Sequence, residues 1–218
     1  MTKKILKKAT KKEIEAIKAL FLKHYPNSIT ELNYNNLYEL LISVMLSAQC
    51  TDKRVNIISP ALFKAYPSPL ILANANLDDV KGYLNTCSFF NNKAKNLIKM
   101  AQVVVENYAG EIPLERDELI KLAGVGQKTA NVVMIEYAQA NLMAVDTHVF
   151  RVAHRLGLSN AKTAIKTEEE LSKKFKTDLH LLHQAMVLFG RYHCKAVKPQ
   201  CEGCYMTEYC RTSETFRV

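Results

Sequence analysis

The segment Leu122–Val133, LAGVGQKTANVV, directs the fold prediction because two of the chain's seven glycines stand one residue apart and a lysine follows almost at once. Apolar spacing predicts helices over 115–122 and 127–138, which leaves only Ala123–Gly126 to connect them. Such a tight connection requires positive φ angles that glycine tolerates, and this role alone would explain both glycines. The unpaired N–H groups at a helix start are also suited to binding phosphate.

Lys128 and Asp146 are the candidate catalytic residues. Lys128 lies in the first turn of the second predicted helix, where the helix dipole disfavours a cation and so favours a nucleophilic neutral amine. Neutralising a phosphate is an equally open role for this lysine. Asp146, in AVDTHVFRV, precedes another predicted helix, so that it or Thr147 is the expected N-cap. Its functional alternative is a carboxylate that faces Lys128, either to help the lysine lose a proton or to stabilise a developing cationic sugar.

The hydrophobic periodicity is helical along nearly the whole chain, and it predicts an all-α fold. No strand–turn–strand alternation is found in the sequence. We expect two helical lobes, one formed by residues 30–140 with the glycine hairpin and the other by 1–29 together with 141–218. Further helices are predicted over 13–24, 37–45, 52–65, 77–84, 94–108, 149–156, 168–176 and 182–189, with another that begins at Ser68-Pro69.

Composition and charge bound the possible functions. The chain has 218 residues, 48% of them hydrophobic, and no apolar run that approaches the ~18 residues of a membrane span. We therefore expect a cytoplasmic protein. The net charge of +9 falls to +3 without six N-terminal lysines, which form either a contact for nucleic acid or a solvated helix face. These lysines are Lys3, Lys4, Lys7, Lys8, Lys11 and Lys12.

Four of the six cysteines lie within the last 25 residues, and they indicate a metal site. Their pattern is Cys194-x6-Cys201-x2-Cys204-x5-Cys210, with only one C-x-x-C pair. Zinc is the usual metal of cysteine tetrads, whereas this compact loop also suits a cubane iron–sulfur cluster, so the spacing leaves the metal open. Lys195 and Lys198 would project from the loop as phosphate contacts or as solvated side chains. The other two cysteines, Cys50 and Cys87, are expected to be small core residues.

These motifs together resemble endonuclease III-type DNA glycosylases. The similarity runs in the expected order from Leu37 to Cys210 and includes LISVMLSAQCTD at 41–52. It implies a helix–hairpin–helix glycosylase fold, in which a six-helix domain and a [4Fe–4S] cluster domain enclose a DNA-binding cleft. It also implies a monomeric, nucleoid-associated, bacterial-type enzyme that binds double-stranded DNA with a damaged pyrimidine or abasic site. Such an enzyme removes oxidised pyrimidines and cleaves the abasic site by β-elimination through a lysine Schiff base.

The resemblance also implies roles for individual residues of this sequence. Lys128 is the amine that attacks C1′ of the sugar, and Asp146 is its carboxylate partner. Gln49, in LSAQ, fills the gap left by the flipped base. The hairpin backbone at Gly124, Val125 and Gly126 holds a DNA phosphate. The four cysteines hold the [4Fe–4S] cluster, whose role is mainly structural and DNA-binding.

Departures from the family pattern concern the wedge residue and the hairpin. In TCSFFNNKA, the side chain that inserts between stacked bases is that of Phe89, at a position where the family more often has an aliphatic residue. The alternative is that Phe89 is buried in the core and Phe90 is the exposed residue. Ala123 and Gln127 replace the usual proline and arginine of the hairpin, which loosens the turn and removes one cationic contact.

Two further residues are candidates for the pocket. His148 neighbours Asp146 and would line the pocket or orient the carboxylate. Asp52 is expected to cap the following helix, with a secondary catalytic role as the alternative.

Three other functions share some of these sequence features. An adenine-mismatch glycosylase shares the hairpin, aspartate and cluster, but its relatives lack the lysine and carry a further C-terminal domain that we do not expect here. If the protein were a non-catalytic DNA-binding module, the presence of both Lys128 and Asp146 would be a coincidence. An electron-transfer protein that uses only the cluster leaves the hairpin unexplained.

Overall fold

The computed structural model describes residues 7–212, and this part of the chain contains eleven α-helices and no β-strand. The predicted all-α class is therefore confirmed. The helices are α1 (Lys11–His24), α2 (Leu37–Ser47), α3 (Asp52–Ala65), α4 (Pro69–Ala73), α5 (Leu77–Leu84), α6 (Phe90–Asn107), α7 (Arg116–Lys121), α8 (Gln127–Ala138), α9 (Thr147–Arg155), α10 (Ala164–Phe175) and α11 (Leu179–Leu188). A π-helical turn, Phe189–His193, continues α11, and a short 3-10 turn spans Thr207–Tyr209. Two of the six N-terminal lysines, Lys3 and Lys4, lie outside the described residues.

The chain forms two compact units, which we call the hairpin unit and the cysteine unit. The hairpin unit is Thr30–Gln139. The cysteine unit combines the segment that ends at Ile29 with the segment that begins at Ala140. Both chain ends therefore contribute to the unit that carries the four clustered cysteines.

Polar side chains set the starts of most of these helices. Thr10 and Glu13 form a reciprocal capping box at α1. Asp146 caps α9, as one of the two predicted alternatives. The prediction that Asp52 caps α3 is wrong, because the Thr51 hydroxyl accepts the hydrogen bond from the Arg54 N–H and Asp52 is the first helical residue. Each such cap contributes about 1 kcal/mol of stability.

The core of the hairpin unit is formed by helices with wide apolar faces. All side chains of α2 from Leu40 to Leu46 are buried. The long helix α6 packs against α2, α4 and α5, while α8 packs against α2 and α7. Leucines such as Leu62 and Leu97 are fully buried, and each contributes about 1.5–3 kcal/mol relative to exposure.

The core of the cysteine unit is formed by α1, α9, α10 and α11. Helix α1 contacts α10 and α11, and α9 contacts the same two helices. Phe21 of α1 meets Phe189 of the π-helical turn edge to face, with ring centroids 5.6 Å apart. Lys18 fastens α1 to the α10–α11 connection, since its ammonium lies 2.8 Å from the Asp178 carboxylate and donates to Thr177.

Several element boundaries differ from the predictions. Helix α10 begins at Ala164 rather than at 168, because Thr163 caps it. Helix α6 begins at Phe90, ahead of the predicted apolar stripe. None of the helices within residues 7–212 is long and apolar enough to cross a lipid bilayer.

Candidate active site

The hairpin Ala123–Gly126 joins α7 to α8. Its two glycines differ in their backbone angles and in the space around them. Gly124 has φ +78°, and a Cβ atom built there would lie 2.9 Å from the Asn96 Cβ atom. Gly126 has φ −91°, and a Cβ atom added to it would have no atom within 4 Å. The predicted positive φ is therefore confirmed at Gly124 and wrong at Gly126. Gly124 is needed by the fold, whereas the backbone at Gly126 faces open space.

Two hydrogen bonds connect the residues of the hairpin and its two helices. Val125 is buried, and its N–H donates to the Leu122 carbonyl at 3.1 Å. Asn131 of α8 is buried and accepts a hydrogen bond of 2.7 Å from the Arg116 guanidinium of α7. This bond between the two hairpin helices was not foreseen from the sequence. An asparagine within the apolar face of α8 was the signal that could have revealed it.

Lys128 is the second residue of α8, and its side chain is exposed. Gly126 is the N-cap of this helix and supplies no side-chain acceptor for the first-turn N–H groups. The positive end of the helix dipole is therefore not offset by a capping side chain or by an acidic residue in the first turn. This setting suits an anion that approaches the helix start.

Asp146 belongs to the cysteine unit and is half-buried. Its Oδ1 atom accepts a 2.8 Å hydrogen bond from the Val149 N–H at the start of α9. The structural role considered from the sequence is thus confirmed. This bond fixes the carboxylate through one oxygen atom, and the second oxygen is not used by the cap.

His148 contacts Arg151, which lies on the same helix. The Arg151 guanidinium lies 3.2 Å from the His148 Nδ1 atom and donates to the Gly190 carbonyl at 2.6 Å. A Cβ atom built at Gly190 would lie 2.9 Å from that of His148. His148, on α9, therefore packs against the π-helical turn at Gly190. Asp52 is half-buried at the start of α3.

Gln49 and Phe89 occupy two exposed loops of the hairpin unit. Gln49 follows the end of α2 with φ 55°, and Phe89 precedes α6 with φ 57°. Phe89 is 62% exposed while Phe90 is half-buried, so the alternative in which Phe89 is the core residue is wrong. Both side chains line one concavity, together with Gly124.

The sequence did not single out Lys93, which lies beside these two loops. Its side chain is only 9% exposed, and its ammonium donates to the carbonyls of Leu46 and Ala48 at 2.8 and 2.7 Å. A signal was available, since Lys93 shares the helical face of Leu97, Met100 and Val104, which are all buried.

The four clustered cysteines form no disulfide, and they line a single cavity. Burial raises the pKa values of the Cys194 and Cys204 thiols, and the nearby cysteines raise that of Cys204 further. Within residues 7–212, no three His, Cys, Asp or Glu side chains are arranged to hold a single metal ion.

Two arginines of α9 hold the start of the cysteine loop. Arg155 donates to the Cys194 Sγ atom at 3.2 Å and to the Lys195 carbonyl at 2.7 Å. Arg151 donates to the Cys194 carbonyl at 3.0 Å. The sequence reasoning missed both arginines and the π-helical turn that leads into Cys194. Lys195 and Lys198 are exposed on the same loop.

A glycine hairpin between two helices, followed by an exposed first-turn lysine, is the central feature of the hairpin unit. Residues 42–177 match the family model of the HhH-GPD superfamily of base excision DNA repair proteins. The class defined by this fold and hairpin is therefore that of helix–hairpin–helix DNA repair proteins.

Comparison with individual relatives identifies the family within this class. Endonuclease III of Rickettsia conorii is 43% identical over 198 residues, which cover 90% of this chain and 94% of that protein. Endonuclease III of Bacillus subtilis is 41% identical over 192 residues, which cover 87% and 88% of the two chains. A solved structure of a trapped endonuclease III–DNA covalent intermediate matches with a TM-score of 0.91 at 39% identity, covering 95% of this chain and 98% of that one.

The chain therefore belongs to the endonuclease III family within the HhH-GPD superfamily. It is an enzyme of base excision DNA repair, a DNA glycosylase and abasic-site lyase.

Proposed function

We propose that the enzyme removes oxidised pyrimidines from double-stranded DNA and cleaves the resulting abasic site through a Schiff base on Lys128. The observation that carries this proposal is the exposed Lys128 amine in the first turn of α8, at a helix start without a capping side chain. The protein acts as a monomer in the cytoplasm, where it meets chromosomal DNA at the nucleoid.

The reaction begins with the neutral amine of Lys128. Its nitrogen forms a bond to C1′ while the glycosidic bond breaks, and the damaged base leaves with the electron pair and takes up a proton. Opening of the sugar ring then gives an iminium ion between Lys128 and C1′. The iminium acidifies the C2′ proton, so that its removal expels the 3′ phosphate by β-elimination. Hydrolysis then frees the lysine.

Asp146 acts on the same sugar as a fixed carboxylate. Positive charge develops on the sugar as the glycosidic bond breaks, and a pre-oriented negative charge stabilises that transition state. The α9 cap supports this role, because it holds Oδ1 on the Val149 N–H and thereby restrains the carboxylate. His148, on the same helix as the Val149 N–H, lines the pocket. We assign no step of the reaction to Asp52.

DNA is held through its backbone and opened by inserted side chains. The backbone of the Gly124–Gly126 segment binds a phosphate through the N–H groups of its two glycines, because the Val125 N–H already donates to the Leu122 carbonyl, and the open space at Gly126 suits this role. Phe89 wedges apolar surface between bases, and Gln49 fills the gap that the flipped nucleotide leaves. Flipping costs a few kcal/mol, least for a damaged base, so part of the lesion selectivity comes from the DNA. Lys195 and Lys198 contribute further phosphate contacts.

The four cysteines are suited to hold a [4Fe–4S] cluster. The donor set is all sulfur, which suits iron–sulfur clusters and zinc alike. The four cysteines line one cavity, which supports a cubane cluster held by four sulfur ligands. Cys194, Cys201, Cys204 and Cys210 would hold the cluster, which would cross-link this loop, and Lys195 and Lys198 of the loop would then face DNA. Arg155 would neutralise part of the thiolate charge through its contact with Cys194.

Replacing Asp146 by asparagine tests the chemistry without removing the helix cap. Asparagine caps helices as well as aspartate does, so Asp146→Asn keeps the acceptor for the Val149 N–H and removes only the charge. We expect the release of thymine glycol from a duplex to slow by about 100-fold or more. The midpoint of thermal unfolding should hardly change. Asp146→Ala is the matched control, since it loses the charge and about 1 kcal/mol of capping stability together. An unchanged rate in Asp146→Asn would remove Asp146 from the mechanism.

A further inference from the structure

Lys93 is a buried lysine whose hydrogen-bonding capacity is fully used. Its Nζ atom lies 2.8 Å from the Leu46 carbonyl oxygen, 2.7 Å from that of Ala48 and 3.2 Å from the Cys87 Sγ atom. An ammonium has three hydrogens, so each has one acceptor here. All three acceptors are neutral groups. A buried charge persists only where it is hydrogen-bonded in this way, and the arrangement therefore fixes the positions of its acceptors.

Two of these acceptors hold the loop that carries Gln49. The Leu46 and Ala48 carbonyls lie at the end of α2, where helix carbonyls lack partners in the helix and the dipole favours a cation. Gln49 follows Ala48 directly and has φ 55°. A left-handed conformation is unfavourable for a glutamine, so the surrounding contacts must maintain it.

The remaining contacts of Lys93 hold the loop that carries Phe89. Cys87 is buried, lies two residues before Phe89 and accepts from the Lys93 ammonium. The backbone N–H of Lys93 donates to the Phe89 carbonyl at 3.1 Å. Phe89 has φ 57° and no side-chain cap hydrogen bond of its own. One residue thus bonds both to the segment before Gln49 and to the segment around Phe89.

We propose that Lys93 is a positioning residue that sets Gln49 and Phe89 in register for insertion into the DNA base stack. The two side chains line the same concavity, whose wall also includes Lys93 itself, Asn96 and Gly124. Loops that are already ordered before binding lose less conformational freedom when DNA enters, so the lesion is extruded more readily. This inference rests on the proposed function, from which it takes the entry of Gln49 and Phe89 into the duplex.

The test uses a lysine variant and a control on the same helix. Lys93→Met keeps a long unbranched side chain and removes the ammonium. Val104→Ala truncates another buried residue of α6, eleven positions along and about 16 Å away on the helix axis, without touching either loop. Thermal unfolding of the holoprotein reports how much stability each variant loses.

Two substrates separate positioning from general damage, under single-turnover conditions. One is a duplex that contains thymine glycol, and the other is a single strand with an abasic site, which has no partner strand to open. We expect Lys93→Met to excise thymine glycol about tenfold more slowly than Val104→Ala does. We expect its cleavage of the single strand to stay within about twofold of that control. Equal losses on both substrates would overturn the proposal.

A second arm asks whether Lys93 acts through the two loops. In a variant with Gln49→Ala and Phe89→Ala, adding Lys93→Met should slow excision by less than about twofold, because the groups that it positions are gone. A further loss as large as that in the wild-type background would overturn the proposal. Failure of the proposed function itself would look different, because wild type would then neither release thymine glycol nor cleave the abasic strand.

Discussion

At the scale of single residues, the hairpin glycines show how one motif combines two different requirements. Gly124 has a left-handed backbone and leaves no room for a Cβ atom beside Asn96, whereas Gly126 has ordinary angles and open space where its Cβ atom would be. The first glycine serves the fold and the second leaves room for a ligand. Since the two stand one residue apart, they provide a matched pair for mutagenesis.

We predict that Gly124→Ala lowers the free energy of unfolding by at least about 1–2 kcal/mol, the usual cost of a left-handed alanine, with crowding against Asn96 added to it. Gly126→Ala should leave the protein as stable as wild type, because its angles suit alanine. The same variant should weaken DNA binding by about tenfold, since a methyl group would keep the phosphate from the backbone N–H groups. Chemical denaturation and binding titrations measure the two quantities. Equal stability losses in both variants would contradict this account.

Some single-residue properties could be predicted from the sequence, and others could not. The need for a special backbone was predictable at the hairpin, but which glycine meets it depends on the approach of Asn96 from α6. Thr51 and Asp52 are both good caps, so the sequence could not choose between them. Lys93 was predictable as a face residue beside Leu97, yet its acceptors come from the end of α2, which is distant in sequence.

At the scale of elements, α1 is joined to the C-terminal segment of the cysteine unit. The Glu13 carboxylate accepts from the Thr10 N–H at 2.6 Å and from the Arg211 guanidinium at 2.7 Å. These hydrogen bonds hold the pKa of Glu13 at about 2, with the Thr10 backbone bond as the larger cause. Arg211 also donates to the Lys7 carbonyl and follows Cys210 directly. The carboxylate therefore links the start of α1 to the end of the cysteine loop.

The lowered pKa of Glu13 predicts how its stabilising effect depends on pH. A carboxyl group with a depressed folded-state pKa contributes stability above its unfolded-state value of roughly 4.3. This contribution is lost as the pH falls toward about 2. We expect wild type to be more stable than Glu13→Gln by a constant amount from neutral pH to about pH 5.5, and by progressively less below that. Denaturant titrations of both proteins at several pH values measure the difference. A difference that persists unchanged at about pH 3 would contradict the prediction.

The cysteine loop has some features that could be predicted from the sequence and others that could not. The spacing of the four cysteines predicted a shared site, and they do line one cavity. Arg151 and Arg155 could not be assigned to this loop, because their hydrogen bonds join α9 to residues about 40 positions later. The π-helical turn Phe189–His193 was also unpredictable, since the apolar pattern of α11 continues smoothly into it.

At the scale of the whole molecule, the positive charge is concentrated near the N-terminus. Lys7 and Lys8 precede α1, and Lys11 and Lys12 begin it. Deleting residues 1–12 would also remove the Thr10 cap and the hydrogen bond between the Ala9 N–H and the Gly157 carbonyl. Neutralising the lysines is therefore the cleaner test of contact with DNA.

We predict that changing the four lysines at 7, 8, 11 and 12 to glutamine flattens the salt dependence of DNA binding. Each lost phosphate contact reduces the slope of log K against log salt by about 0.9. The control changes four exposed lysines elsewhere in the same unit, Lys162, Lys166, Lys173 and Lys176, and should leave the slope unchanged. An equal change of slope in both variants would assign the effect to net charge, and no change in the first would show that the segment is a solvated face.

The central claim is that Lys128 forms the covalent link to DNA, and borohydride trapping tests it most directly. Wild type and Lys128→Ala are each mixed with a duplex that bears one thymine glycol, and borohydride reduces any Schiff base to a stable bond. The account predicts a covalent protein–DNA adduct with wild type and none with the variant. An adduct of equal yield with Lys128→Ala would contradict it. So would the absence of any adduct with a cluster-loaded wild type that binds the duplex.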